Sequence, residues 1–284
     1  MPIRDEVRPV DAPIVELGEG PCWDVASSSL FWTDIPAGRI HRLDPAGRHA
    51  SWEAGQPVGA IAPRESGGLA LAAGDGFHAL DTATGALTWL ADAGHPQAGL
   101  RMNDGACDRA GRFYAGSMAV DERPGAGALY RLDPDGRVSR LVTGVGISNG
   151  IGWSPGGAQM YYIDSLAYRL DVFDYDAATG EVGNRRGVVG LGRGDVMPDG
   201  LAVDEDGCIW VALWGGWAVH RYRPDGHLAD VLPVPAANVT CPAFGGSDLR
   251  TLYITTAAGP GEAAGALYSC QPGVAGLPTF PYRG

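Results

Sequence analysis

The sequence contains no apolar run of 18 residues, so no membrane-spanning helix is expected, and MPIRDEVRPVDAPIVELGEG at its start has no apolar signal core. Positive charge is in short supply. Twenty-one basic residues stand against 33 acidic ones, a formal net charge of −12, which disfavours nucleic acid and anionic membranes because both need basic patches. Cysteine is sparse: Cys22, Cys107, Cys208, Cys241 and Cys270 are odd in number, far apart and never in a CxxC pair. They read as reduced, mostly buried thiols of a cytoplasmic protein, not as a disulfide or zinc framework. His41, His49, His78, His95, His220 and His227 form no H-x-H or HExxH pattern, so they are expected at surfaces and strand edges, not on zinc. Helical periodicity is almost missing, since APIVELGEG is short and broken by glycine.

What the chain does have is glycine, proline and short β-rich runs. Its 284 residues can bury a sizeable core, and 45% hydrophobic content argues against disorder. The 44 glycines and 21 prolines follow no collagen-like period; they punctuate short apolar runs, as in an all-β protein with many turns. Six segments share one shape, a β-rich run, a spacer, a second run and a turn, beginning near residues 30, 69, 112, 159, 208 and 251. They close on DPAG, DTATG, DPDG, DAATG, RPDG and QPG, which are tight-turn sequences. A period of this length is the blade period of a propeller. The chain is expected to form one all-β domain over residues 1–284, a six-bladed β-propeller of four-stranded antiparallel blades around a channel.

The short run before each segment can also be aligned. EGPCWD from Glu19, NDGACD from Asn103, NGIGWS from Asn149 and DGLAVD from Asp199 each begin with a polar residue and carry Asp or Ser five places on. The equivalent positions in the other two blades fall near Val58 and Cys241. Innermost strands of a propeller run along the channel, so Glu19, Asn103, Asn149 and Asp199 are expected to converge at one mouth. Asp206-Gly207, at the far end of the Asp199 strand, reads as a hairpin turn. Converging oxygen donors without histidine or thiol suit a hard divalent cation, with waters completing its shell.

These segments carry a resemblance. LGEGPCWD, RMNDGACDRAGRFYAGSM, SNGIGWSPGGAQMYYIDS and PDGLAVDEDGCIWVALWGG resemble the senescence marker protein/gluconolactonase/luciferin-regenerating (regucalcin-like) family, from about residue 15 to 270. ALWGGWAVHRYRPDG and NVTCPAFGGSDLRTLYITTA look most like its bacterial sugar-acid lactonases. The resemblance implies a propeller with one catalytic divalent metal at the channel mouth, held by Glu19, Asn149 and Asp199. The ion could be Ca, Mn, Zn, Mg or Fe(II). The resemblance also implies substrate contacts from Arg101 and Asn103, and an acidic contact after GSMA where this chain has Asp121 followed by Glu122. The expected activity is hydrolysis of an aldonolactone such as a glucono- or xylonolactone. A metal polarises the ring ester carbonyl and acidifies water, and it stabilises the negative oxygen of the tetrahedral intermediate. Asp199 is the expected proton-transfer residue as well as a ligand, and Asp104 an orienting group beside the ligands. The expected partner is a small-molecule sugar lactone, with the chain a monomer or weak homo-oligomer.

Other motifs carry less. GISNG, Gly146 to Gly150, matches GxSxG, but no strand–turn–helix elbow or triad histidine accompanies Ser148. Asn238-Val239-Thr240 is a glycosylation sequon without a secretory signal. DPDGRV and DEDGCI resemble the openings of calcium loops but lack the downstream Glu, and read as hairpin turns. Trp210, Trp214 and Trp217 read as packing, with Trp214 or a neighbour able to line a sugar pocket. Cys241 has no basic partner in view and reads as structural. A non-catalytic propeller binding calcium or a protein, or a hydrolase of another ester, is the alternative function.

Overall fold

Four tight turns, at 44–47, 133–136, 204–207 and 223–226, set the blades. In each, the N–H of the glycine at the fourth position donates to the carbonyl of the residue at the first, at 2.9 Å. That glycine has a positive φ, 75° at Gly47, 84° at Gly136, 81° at Gly207 and 86° at Gly226, as a tight antiparallel hairpin requires. Asp206-Gly207 is therefore the turn expected from its sequence, with Asp206 exposed and paired to Arg221 at 2.9 Å.

A computed structural model of the chain describes residues 6–74, 76–95 and 99–284. Six antiparallel four-stranded sheets follow one another. From the innermost strand outward, blade 1 is Gly18–Asp24, Ser29–Asp34, Arg39–Leu43 and His49–Glu53. Blade 2 is Val58–Pro63, Leu69–Ala73, Gly76–Leu80 and Leu87–Asp92, and blade 3 is Leu100–Cys107, Phe113–Ala119, Gly127–Leu132 and Val138–Val145. Blade 4 is Ser148–Trp153, Gln159–Asp164, Arg169–Tyr175 and Val182–Gly190, and blade 5 is Met197–Val203, Ile209–Trp214, Ala218–Tyr222 and Leu228–Pro233. Blade 6 takes Val239–Gly245, Thr251–Thr256 and Tyr268–Cys270, and Arg8–Pro9 from the start of the chain completes it as the outer strand, Arg8 opposite Ser269. The second strands begin within a residue or two of the six repeat positions read from the sequence.

The core lies between blades. Six apolar clusters sit one at each junction of neighbouring blades. At the junction of blades 2 and 3, Phe77 meets Phe113 edge to face at 5.7 Å, a favoured aromatic geometry. Inner strands are buried almost throughout, whereas outer strands such as His49–Glu53 alternate between exposed and half-buried. After the last blade the chain crosses the end of the channel away from the starts of the inner strands. Leu277 N–H donates to Val203 carbonyl at 3.0 Å, Tyr282 to Pro63 at 2.8 Å and Arg283 to Gly111 at 3.1 Å. This strap ties blades 5, 2 and 3.

Candidate functional site at the channel mouth

Every inner strand has a register shift in its mouth-side half. The breaks fall between Glu19 and Cys22, Val58 and Ala60, Met102 and Gly105, Ser148 and Ile151, Pro198 and Leu201, and Val239 and Cys241. A bulge leaves backbone outside the ladder and re-aims side chains. In blades 3, 4 and 5 the bulged pairs are Asn103-Asp104, Asn149-Gly150 and Asp199-Gly200, so these three polar residues occupy equivalent positions. Blade 1 is out of step by one residue: Gly20 and Pro21 fill its bulge, and Glu19 stands just before it. Glutamate's extra methylene suits a carboxylate set one residue further back. Blade 2 offers only Val58 and Gly59. A Cβ on Gly59 would lie 2.6 Å from the Cα and carbonyl oxygen of Asn103, so blade 2 contributes the absence of a side chain.

The structure brings together Glu19, Asn103, Asp104, Asn149 and Asp199, each only 5% to 6% exposed, with Arg101 half-buried beside them. Burial raises the Glu19 carboxyl well above its usual range, and the charges of Asp199 and Asp104 raise it further; the Gly20 N–H and Arg101 oppose. Asp199 is likewise raised well above its usual range by burial and by Asp104, against Arg101. Asp104 is pushed up to about 6 by burial, although its Oδ1 accepts the Gly105 N–H at 2.7 Å. These carboxylates crowd one another in a desolvated space, where a cation stabilises their charged forms. Asp199 Oδ1 is buried with no hydrogen-bond partner among the described residues, and an unpaired buried carboxylate oxygen is costly to leave so. The donor set thus fits a hard divalent ion. Among the described residues no three His, Cys, Asp or Glu side chains form a ligand cluster by themselves, so Asp104 does not make a third carboxylate with Glu19 and Asp199. An uncharged oxygen donor stands in the same cluster, the Asn149 amide oxygen, which accepts from Asn103.

Arg101 Nη1 donates to Asn103 Oδ1 at 2.6 Å. Asn103 Nδ2 donates to the Ser148 carbonyl at 2.9 Å and to Asn149 Oδ1 at 2.8 Å. Both amide protons of Asn103 are therefore spent, and it can offer a substrate only its remaining oxygen lone pair, while Arg101 keeps further N–H groups. Together they match a hydroxyl, which both donates and accepts.

Asp121 is not brought to this cluster. Its carboxylate, 64% exposed, pairs with Arg123 at 2.7 Å. The next acid, Glu122, is held at a φ of 55°; burial lowers the Arg101 guanidinium, and the charges of Glu19, Asp199 and Glu122 oppose that. Ser148 is buried in a strand, and its Oγ accepts from the Tyr162 hydroxyl at 2.7 Å, so GISNG forms no nucleophile elbow.

Below the mouth, away from the starts of the inner strands, the channel opens into a cavity of about 490 Å³. Asp104 touches its upper end, Ile61, Ile151, Leu201 and Phe244 are among its walls, and residues 277–280 of the strap line it as well. Cys22, Cys107 and Cys241 also line it, and burial raises all three thiols. Thiols raised in this way stay protonated at neutral pH and are weak nucleophiles.

Fold and site define a six-bladed propeller with a polar, anion-rich centre at one channel mouth. The chain belongs to the SMP-30/Gluconolactonase/LRE-like family, whose profile matches residues 17–258. Regucalcin from Bos taurus is 37% identical over 283 residues, covering 94% of this chain and 95% of that protein. Among solved structures, a calcium-binding protein, regucalcin, from Agrobacterium tumefaciens superposes with a TM-score of 0.93 at 31% identity, covering 100% of this chain and 98% of that one. A luciferin-regenerating enzyme superposes with a TM-score of 0.91 at 27% identity, over 98% and 99% of the two chains.

Proposed function

We propose that this protein hydrolyses a sugar lactone, an aldonolactone, to the sugar acid with the help of one divalent cation held by Glu19, Asn149 and Asp199. The observation that carries the reading is the buried Asp199 Oδ1, which has no hydrogen-bond partner among the described residues, in a centre that crowds Glu19 against Asp199 in a chain of the gluconolactonase-containing family. When bound, such an ion supplies Lewis acidity toward the ring ester carbonyl and lowers the pKa of water. Arg101 and Asn103 bind and orient a ring hydroxyl. Asp199 takes a proton from the attacking water and returns it to the ring oxygen that leaves as an alkoxide. Asp104 sits behind the ligands and holds the strand geometry through its bond to Gly105. Glu122 supplies the acidic contact beside Arg101, in place of Asp121.

The test is acid release from a panel of aldonolactones by chelator-stripped protein, with and without each divalent metal and with spontaneous opening subtracted. Metal-restored turnover that prefers one lactone and is lost in Asp199→Asn supports the reading. Turnover at background with every metal defeats it. A calcium-binding role without catalysis then takes its place, supported by the similarity to the Agrobacterium protein described as calcium-binding; such a role has no use for the paired Arg101 and Asn103.

A further inference from the structure

We infer that Ser165 is a positioning residue that fixes which end of the Asn149 amide faces the cation and couples Asn149 to Asp199; this rests on the metal-site reading above. An amide differs from a carboxylate in that only one of its two ends can ligate a cation. Glu19 and Asp199 present oxygen at either end and need no such control. Asn149 does need it, and its surroundings supply it.

Ser165, only 3% exposed, directly follows the second strand of blade 4 and opens a single 3-10 turn, Ser165–Ala167. Its hydroxyl donates to the Pro198 carbonyl at 2.6 Å and meets Asn149 Nδ2 at 2.8 Å. A carbonyl can only accept, and a serine hydroxyl has a single proton. That proton is spent on Pro198, so Ser165 can only accept from Asn149, and the nitrogen end of the amide must face it. The oxygen end must then face the channel, where it takes one hydrogen bond from Asn103 and keeps a lone pair free. The chain of donors runs one way, from the Arg101 guanidinium through Asn103, Asn149 and Ser165 to the carbonyl just before Asp199. Bonds aligned in this manner strengthen one another.

The same grip recurs at the other two ligands. The carbonyl just before Glu19, that of Gly18, accepts from Thr240 Oγ1 of blade 6 at 2.6 Å. The carbonyl just before Asn149, that of Ser148, accepts from Asn103 of blade 3. Each ligand is thus held through its preceding carbonyl by a side chain of the preceding blade. Two of these gripping side chains also touch the one ligand that has a wrong end: Asn103 donates to the oxygen of Asn149, and Ser165 accepts from its nitrogen. The repeat makes the point a second time: Asp34 and Asp164 play one role, accepting the N–H groups of Leu17 at 3.2 Å and of Ile147 at 3.1 Å. The residue after Asp34 is Ile35 and the residue after Asp164 is Ser165. Blade 1 presents a glutamate and has no hydroxyl at that place; blade 4 presents an asparagine and has one.

The experiment titrates chelator-stripped wild type, Ser165→Ala, Asn149→Asp and the double variant with Mn²⁺, reading free Mn²⁺ by electron paramagnetic resonance. Melting in EDTA is recorded in parallel. Ser165→Ala is expected to weaken Mn²⁺ binding about 10- to 100-fold, as loss of an orienting partner does, with the EDTA melting midpoint within a few degrees of wild type. In the Asn149→Asp background, where both ends of the side chain are oxygen, the same change is expected to cost less than about threefold, since no amide is left to orient. Mn²⁺ binding by Ser165→Ala within about twofold of wild type, or an equal loss in both backgrounds, overturns the inference. Should Ser165→Ala fail to fold, Ser165→Cys keeps the volume and weakens both hydrogen bonds, and the same ordering decides. Lactone turnover plays no part in this readout. Its absence bears on the catalytic reading alone, whereas wild-type Mn²⁺ binding that ignores Ser165 overturns this inference alone.

Discussion

At the mouth, the inner strands of blades 1, 3, 4 and 5 hold Glu19, Asn103, Asn149 and Asp199; further along, the same strands hold Cys22, Cys107, Ile151 and Leu201 around an apolar cavity. The backbone is shared, yet the first half is bulged and crowded with carboxylates, and the second is a regular ladder lined by thiols and aliphatic groups. The difference teaches where the stability of this fold and its chemistry reside. A substitution in the upper half should change what the protein does more than how well it folds, and a substitution in the lower half should do the reverse.

The largest expected effect is that of Asp199→Asn. Lactone turnover should fall at least about 10²-fold, the usual contribution of a positioned proton-transfer group. Melting in EDTA should stay level or rise, because an amide relieves the repulsion with Glu19 and Asp104. Its counterpart below is Cys107→Ser, which puts a hydroxyl into a cluster with Phe113, Tyr130 and Ala115. That change should lower stability by about 1–2 kcal/mol and leave turnover within about twofold of wild type. Steady-state rates and denaturant unfolding of the two variants decide whether the halves are separable; Cys107→Ser that lost turnover while keeping its stability would erase the distinction.

Gly59→Ala sharpens the comparison from the blade that has no polar group at the mouth. The added Cβ would lie 2.6 Å from the Met102 carbonyl oxygen as well as from Asn103, all of it backbone that must move. The expected cost is about 1–3 kcal/mol of stability from overpacking. A displaced Asn103 should also lower kcat/KM by about 10-fold or more, since catalysis is sensitive to misplacement of this size. Wild-type kcat/KM in this variant would show that the spacing between blades 2 and 3 does not set the site.

Much of this was legible in the residues, and the parts that were not share a cause. The hairpin turns announce themselves because only glycine adopts their backbone cheaply, so DPAG and DPDG mark blades without any knowledge of packing. The polar mouth residues are legible because the repeat aligns Asn103, Asn149 and Asp199. The alignment treats Glu19 as their equal, yet its bulge lies one residue later, and strand register cannot be read from a run of EGP. Asp121 and Glu122 are adjacent acids, and no local pattern foretells that Asp121 pairs with Arg123 while Glu122 sits in a left-handed conformation. Ser165 carries no signal of its own in the sequence. Its function depends on a carbonyl 33 residues away, a distance that no local pattern encodes.

The strap offers a smaller test of the lower half. Phe280 lines the cavity and stacks against Arg109, whose guanidinium carbon lies 5.5 Å from the ring centre. Phe280→Ala should open the cavity and speed the reaction of Cys22, Cys107 and Cys241 with a thiol reagent by about 10-fold, since access and not thiolate character would change. Turnover should stay near wild type. Unchanged labelling would mean that the strap is not what excludes reagents from the channel.

The smallest effect separates the halves by pH. Asp104 titrates from about 3.8 unfolded to about 6 folded, and Glu19 and Asp199 shift in the same upward direction. Between the two values the folded protein holds more protons than the unfolded chain, so stability from these groups is fully present at low pH and is lost as pH rises through the folded value. Unfolding in EDTA should therefore show a contribution that declines from about pH 4 to pH 6, and Asp104→Asn should flatten part of it. A saturating divalent cation should remove the decline, because it stabilises the charged forms. The three thiols of the lower half add no slope in this range. They are raised by burial, stay protonated in both states below about pH 8, and favour the folded state progressively less only above the ordinary thiol range. A decline in EDTA that persists unchanged with metal bound would place its source outside the mouth and break the division between the two ends of the channel.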